Sequence, residues 1–227
     1  MQINPMLMKS SRTKRSRRSK NIVPNLEREH ELNAQYRVIA GVDEVGRGAW
    51  AGPLVAAAVV LKTDRRIYRI RDSKQLSYKQ RQKIAAAIKR KCRNWAVGVA
   101  QAKELNRIRL SAAIKLAQTR AVRKLRSRPN YVLVDGNGRH KVDRIKTEHI
   151  VKADQKVLSV AAASIIAKVH RDKLMAQLAK QFPYYHFDQN KGYGTKFHHQ
   201  TLKKHGICRE HRVFYKPLKM FFKSATI

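Results

Sequence analysis

With 227 residues, 43% of them apolar, the chain is long enough for one sizeable domain with a substantial core. Its 51 Lys+Arg against 15 Asp+Glu leave a net charge of +36, which points to a polyanionic partner such as nucleic acid or an anionic membrane. Two cysteines are too few for a disulfide framework, no apolar run reaches the ~20 residues of a membrane span, and the basic run 9–20 lacks the apolar segment of a secretory signal behind it, so a soluble cytoplasmic protein is expected.

Residues 1–35 open with a Ser/Arg/Lys run that has no apolar periodicity, so this basic extension is expected to be disordered apart from a short helix across 25–34. Order is expected from Tyr36. Residues 38–45 and 54–61 are short, Val-rich and almost continuously apolar, the pattern of strands covered on both faces. Ser77-Tyr-Lys-Gln80 is a capping box that opens a helix running to Cys92. A strand at 95–100 precedes one or two helices across 102–125, with Leu105, Ile108, Ala112, Leu116 and Ala117 at helical spacing, stopped by Arg128-Pro129. Strands follow at 131–134 and 145–151, then a long helix at 157–182 that ends at Pro183. The remainder is aromatic and basic, with a short helix across 197–205 and Gly206 just past its end. Strands alternating with helices make an α/β domain of residues 36–217, with 218–227 a tail.

Asp43 and Glu44 close the first strand. Two adjacent acids in so basic a chain would repel if buried, and one would take up a proton unless a cation held both; a solvated hairpin tip is the alternative. Gly46-Arg47-Gly48 follows at once, and glycine, having no Cβ, lets backbone approach a ligand closely. Asp135 closes a later strand ahead of Gly136-Asn-Gly138, and Asp154 stands just before the long helix. In open α/β sheets ligands bind at strand ends, so acids dispersed in sequence can converge there. Gathered, four carboxylates suit Mg2+ or Mn2+, and two such ions ~4 Å apart can serve an in-line phosphodiester displacement. That chemistry is a nuclease's. Each acid also has a plainer reading, Asp154 as a helix cap and Asp135-Gly-Asn-Gly as an ordinary turn. Strand side chains alternate, so Asp43 and Glu44 share a site only if the strand ends or bulges there. A non-catalytic, basic nucleic-acid-binding protein is the competing reading of the charge.

The segments Gly41-Val-Asp-Glu-Val-Gly-Arg-Gly48 with Ala51-Gly-Pro53, Asp72-Ser-Lys74, Val132-Leu-Val-Asp-Gly-Asn137, Val151-Lys-Ala-Asp154, Ala161-Ala-Ala-Ser-Ile-Ile-Ala-Lys168 with Arg171-Asp172, and Lys191-Gly-Tyr-Gly-Thr195 occur in that order. Together they resemble ribonuclease HII across residues 38–217. The resemblance implies a ribonuclease H-like fold, a mixed central β-sheet flanked by helices with a helical C-terminal portion. It implies hydrolysis of RNA in RNA/DNA hybrids and cleavage on the 5′ side of a ribonucleotide embedded in duplex DNA, leaving 3′-hydroxyl and 5′-phosphate ends, with two Mn2+ or Mg2+ ions. It assigns the metal to Asp43, Glu44, Asp135 and Asp154. It assigns the ribonucleotide's 2′-hydroxyl and adjoining phosphate to Gly46, Arg47 and Gly48, the sugar at the RNA–DNA junction to Tyr193, and backbone phosphate to Ser73 and Lys74. Nothing in the sequence calls for more than a monomer.

The sequence departs from the family pattern at Ala153, where glycine is expected, and at Gly138-Arg-His-Lys141, where a more apolar, proline-bearing loop is expected. His198, His199, His205, Cys208 and His211 lie close together, but their spacing matches no standard zinc site. Lys168 and Arg171 on the long helix are expected to face phosphate or solvent.

Overall fold

The Val-rich runs pair with each other because neither has a polar face to turn to water. In the computed structural model, which describes residues 23–62, 70 and 77–221, β1 (Ile39–Val45) pairs antiparallel with β2 (Leu54–Val60). β3 (Asn94–Ala100) extends the sheet antiparallel beyond β2, while β4 (Tyr131–Asp135) and β5 (Lys146–Ile150) follow β1 in parallel, giving the order β3-β2-β1-β4-β5. This is the expected mixed sheet. β2 is buried along its whole length. The phosphate contacts expected at Ser73 and Lys74, and residues 1–22 of the extension, lie outside the described residues.

Alternation along the strands sorts the core into two layers. Ala40, Val42, Leu54, Ala56 and Ala58 pack against α3 (Ala102–Arg123), through Ala113, Ala117 and Ala121. Val55, Ala57 and Val59 pack against α2 (Tyr78–Lys91) and α5 (Leu158–Gln181). α2 starts on the expected capping box, with Ser77 N donating to Gln80 Oε1 at 2.8 Å and Gln80 N to Ser77 Oγ at 3.3 Å. α3 is interrupted at Arg109, whose φ of 66° no helix accommodates, so the expectation of one or two helices resolves into two segments. The C-terminal portion is helical, with α6 (Phe187–Asn190), α7 (Lys196–His205) and 3₁₀ turns at Pro183–Tyr185 and Lys216–Phe221. It closes over its own apolar cluster of Met175, Tyr185, Phe187, Leu202 and Leu218.

Order begins before the expected boundary at Tyr36. α1 (Glu27–Asn33) lies on the domain, Leu32 packing with Ile39, Leu133, Val157 and Val160. Asn25 exchanges backbone bonds with the stretch before α5, its N donating to Lys156 O at 3.0 Å and its O accepting from Leu158 N at 2.9 Å. Residues 23–35 therefore belong to the folded body. What hid this from the sequence is the shortness of the helix and its dependence on partners more than 100 residues away. No helix among the described residues is long and apolar enough to cross a membrane.

Candidate active site

β1 and β4 run side by side in parallel, and their last shared rung is Val42–Val134. Asp43 and Asp135 come one residue further along, on the same face, on strands about 4.8 Å apart. That face carries α5, from which the Ser164 side chain bonds Asp43. Glu44 keeps the regular pairing opposite Ala56, and the strand ends only at Val45. Its carboxylate therefore leaves from the opposite face, where Gln118 Nε2 of α3 donates to Oε2 at 2.8 Å. Alternation is not broken at the pair. The two acids emerge on either side of the sheet's mouth, and the charge of Asp135 bears on both.

The electrostatics are those of acids crowded together. Burial first, then the neighbouring Glu44, pushes Asp43 well above the ordinary carboxylate range, and Asp135 adds to it. Burial also raises Glu44, against the opposing pull of Gln118 and Arg47. Asp154 is buried in α4 (Ala153–Lys156), a single turn between β5 and α5. The amide of Ala153 donates to Asp135 Oδ1 at 2.7 Å, tying that turn to the end of β4. The methyl group of Ala153 is accommodated in the core against Leu133 and Val157. Asp154 does not cap the long helix: Val157 stands at that position without a side-chain bond, and Glu29 Oε1 accepts the Ser159 amide at 2.8 Å instead. An all-oxygen, all-carboxylate set fits a hard divalent cation. Among the described residues, no group of three or more His, Cys, Asp or Glu side chains is placed so that it could hold a metal ion.

Beyond β1 the chain turns at Gly46, whose φ of 92° lies in the left-handed region. A Cβ there would stand 2.3 Å from Arg171 Nε. Arg171 and Arg212 are fully buried, and both bond the carbonyls of this loop. Arg171 Nε donates to Pro53 O at 2.9 Å and Nη2 to Ala51 O at 3.3 Å. Arg212 Nε donates to Gly52 O at 2.9 Å, and its Nη1 to Gly46 O at 2.5 Å and Arg47 O at 3.3 Å. Two guanidinium groups thus supply most of the donors to the carbonyls of this glycine-rich loop, beside the Ala49 amide on Gly46 O and the Tyr215 hydroxyl on Arg47 O. Arg47 keeps a side chain 58% exposed, with Nη1 3.4 Å from Glu44 Oε1.

The second turn is docked on the first. Trp50 N and Ala51 N donate to Gly192 O at 2.7 and 3.2 Å, an approach open only to glycine, since a Cβ at Gly192 would meet Ala51 O at 2.4 Å. Tyr193 follows, 37% exposed, its ring centroid 5.5 Å from the Arg171 guanidinium carbon. His198 Nδ1 donates to Tyr193 O at 2.9 Å. Its Nε2 then accepts from His211 Nε2 at 3.1 Å, and His211 Nδ1 accepts from Cys208 N at 2.8 Å. All four ring nitrogens are used within the protein, and burial lowers both histidines, His211 to about 4. This cluster buttresses Tyr193.

Arg171 faces neither phosphate nor solvent. The signal was its place next to Asp172 in an apolar helix, where Asp172 is itself buried and takes Lys168 Nζ at 2.6 Å. Arg212 and Gln118 carried no signal: one lies in a basic tail, the other on a helix with many polar residues.

The family model for ribonuclease HII matches residues 40–222. The chain is 45% identical to the ribonuclease HII of Endomicrobium trichonymphae over 186 residues, 82% of this chain and 89% of that one. It is 43% identical to the ribonuclease HII of Pelagibacter ubique over 182 residues, 80% of this chain and 97% of that one. Among solved structures, ribonuclease H2 from Pyrococcus horikoshii OT3 superposes with a TM-score of 0.68 at 25% identity, covering 82% of this chain and 98% of that one. Ribonuclease HII of Archaeoglobus fulgidus, solved in complex with PCNA, gives 0.68 at 27% identity, covering 79% and 95%. These relationships set aside the non-catalytic reading of the charge. The chain belongs to the ribonuclease HII family, and is a nuclease built on the ribonuclease H-like fold.

Proposed function

We propose that the enzyme hydrolyses the RNA strand of RNA/DNA hybrids and cuts on the 5′ side of a ribonucleotide embedded in duplex DNA, leaving 3′-hydroxyl and 5′-phosphate ends. The observation that carries this reading is the meeting of Asp43, Glu44 and Asp135 at one mouth of the sheet, beside a loop held rigid by buried arginines. Asp43, Glu44, Asp135 and Asp154 are the residues that would hold two divalent ions, Mn2+ or Mg2+. Such ions, when bound, supply an activated water and stabilise the charge that develops in an in-line phosphodiester displacement.

The part played by the chain's own residues is positional. With the carbonyls of residues 46, 47 and 52 engaged by Arg212, the Gly46-Arg47-Gly48 backbone meets a substrate already ordered. Gly48 has no side chain to fend off the ribose, and the 2′-hydroxyl is the group that separates RNA from DNA. Arg47 reaches the adjoining phosphate. Tyr193 offers its exposed ring edge to the sugar at the RNA–DNA junction, and Ser73 and Lys74 hold backbone phosphate further along. The positive field brings the duplex in, with log K falling by about 0.9 per phosphate neutralised for each unit of log salt.

Incubation with a labelled RNA/DNA hybrid, and with a DNA duplex carrying one ribonucleotide, tests this. Cleavage in Mn2+ or Mg2+ that stops on chelation, with the cut 5′ of the ribonucleotide, is expected. Undiminished cleavage in chelator, or a cut on the other side, overturns it.

A further inference from the structure

Glu44 is held from the α3 side by hydrogen bonds that start in the loop between β4 and β5. Its Oε2 accepts from Gln118 Nε2 at 2.8 Å, Gln118 Oε1 accepts from His140 Nε2 at 2.7 Å, and His140 O accepts from His149 Nε2 at 2.9 Å. Gln118 is 1% exposed, so its amide cannot trade these partners for water. The two ends of an amide have nearly the same size and opposite hydrogen-bonding character. Shape alone therefore does not decide which end faces Glu44. An ionised carboxylate cannot donate, so the end toward Glu44 must be the NH2. The oxygen then faces His140, and His140 Nε2 must carry the proton.

The chemistry of the neighbours thus dictates every donor in the line. Without a donor at residue 140 the buried Gln118 oxygen would be orphaned, and the amide would lose the anchor that holds its NH2 against Glu44. The His140 and His149 rings pack edge to face with centroids 4.8 Å apart, which steadies the donor.

We propose that His140 is a positioning residue for Glu44: by donating to Gln118 Oε1 it anchors the buried amide whose NH2 holds the carboxylate, and so steadies the orientation in which Glu44 would meet a divalent ion. The inference rests on the metal reading of the four acids given above.

The test compares His140→Phe, which keeps a ring against His149 but has no donor, with His140→Gln, which restores an N–H. Mn2+ binding to the full chain without nucleic acid, followed by titration calorimetry, is expected to weaken about 10-fold or more in His140→Phe, the usual scale for losing an outer partner of a metal ligand. His140→Gln should recover most of it. At fixed Mn2+, kcat on an RNA/DNA hybrid should fall with KM for the hybrid unchanged. Gln118→Leu combined with His140→Phe should be no worse than Gln118→Leu alone, because the anchor acts only through the amide.

Wild-type Mn2+ affinity in His140→Phe, or losses that multiply in the double variant, overturn the proposal. A wild-type chain that takes up no Mn2+ sinks the metal reading instead, and the anchor is then decided in metal-free protein by exchange of the Gln118 side-chain amide protons. Exchange that is slow in wild type and fast in His140→Phe sustains the anchor, and equal rates remove it. Should His140→Phe fail to fold, the same exchange measured in His140→Ala decides.

Discussion

Replacing Glu29 separates a buried acceptor from a buried charge. Glu29 is 3% exposed and its Oε1 takes the Ser159 amide, in the first turn of α5, at 2.8 Å. Burial raises its pKa above the ordinary value, and the opposing pull of the Ser159 bonds is the smaller effect. A carboxyl group whose folded pKa lies above its unfolded value of about 4.3 binds more protons in the folded state, so its contribution to stability falls as pH rises through the folded pKa. Glu29→Gln keeps an oxygen for Ser159 and buries no charge. It is expected to match or exceed wild-type stability at pH 7.5, with any advantage fading below about pH 4. Glu29→Ala removes the acceptor and orphans a buried amide, which costs about 1–3 kcal/mol. At roughly 2–4 °C per kcal/mol for a chain of this size, that is a fall in Tm of about 2–12 °C. Thermal unfolding of the full chain in chelator, at pH 7.5 and near pH 4, gives both quantities. If Glu29→Gln loses as much as Glu29→Ala at pH 7.5, the ionised carboxylate holds α5 and the argument from burial is wrong.

Asp43→Asn and Asp135→Asn should each lower hybrid cleavage by on the order of 10²–10³ or more while duplex binding, measured by anisotropy, persists; unchanged turnover in either would remove that acid from the site. Asp43→Asn should also stabilise the chelated protein, since two charges about 5 Å apart at an effective dielectric of about 20 repel by about 3 kcal/mol. Arg212→Leu takes the guanidinium from Gly52 O, and from Gly46 O and Arg47 O, which keep the Ala49 amide and the Tyr215 hydroxyl; Tm and cleavage should both drop, by about 1–3 kcal/mol for the carbonyl left unpaired, and a variant stable and active as wild type would show that the loop holds itself. Tyr193→Ala should reduce cleavage at a lone ribonucleotide more than affinity for plain DNA, and equal losses would take away its sensing role. Removing residues 1–22 should weaken duplex binding at low salt and spare activity. Removing residues 1–35 also strips Leu32 and Glu29 from the core and should destabilise by about 2–5 kcal/mol, an effect that an equally stable shorter chain would disprove.

Local signals in the sequence were enough for the strands and most helix boundaries, and they singled out the acids as candidates. Continuous Val-rich runs, the Ser77–Gln80 capping box and Gly206 past α7 each act within a few residues of chain, so each can be read from a few residues. The acids could be picked out as a group because four carboxylates at element ends are conspicuous among 51 Lys+Arg. Geometry between distant segments decided the rest. Which acid stands beside Asp43 on its face depends on the register of β1 with β4, which alternation alone leaves open. Arg212 reaches Gly46 across 166 residues, Glu29 reaches Ser159 across 130, and Gln118 reaches Glu44 across 74. A buried side chain takes its meaning from whichever polar group needs it. When that group lies in another element, only the folded chain brings the two together.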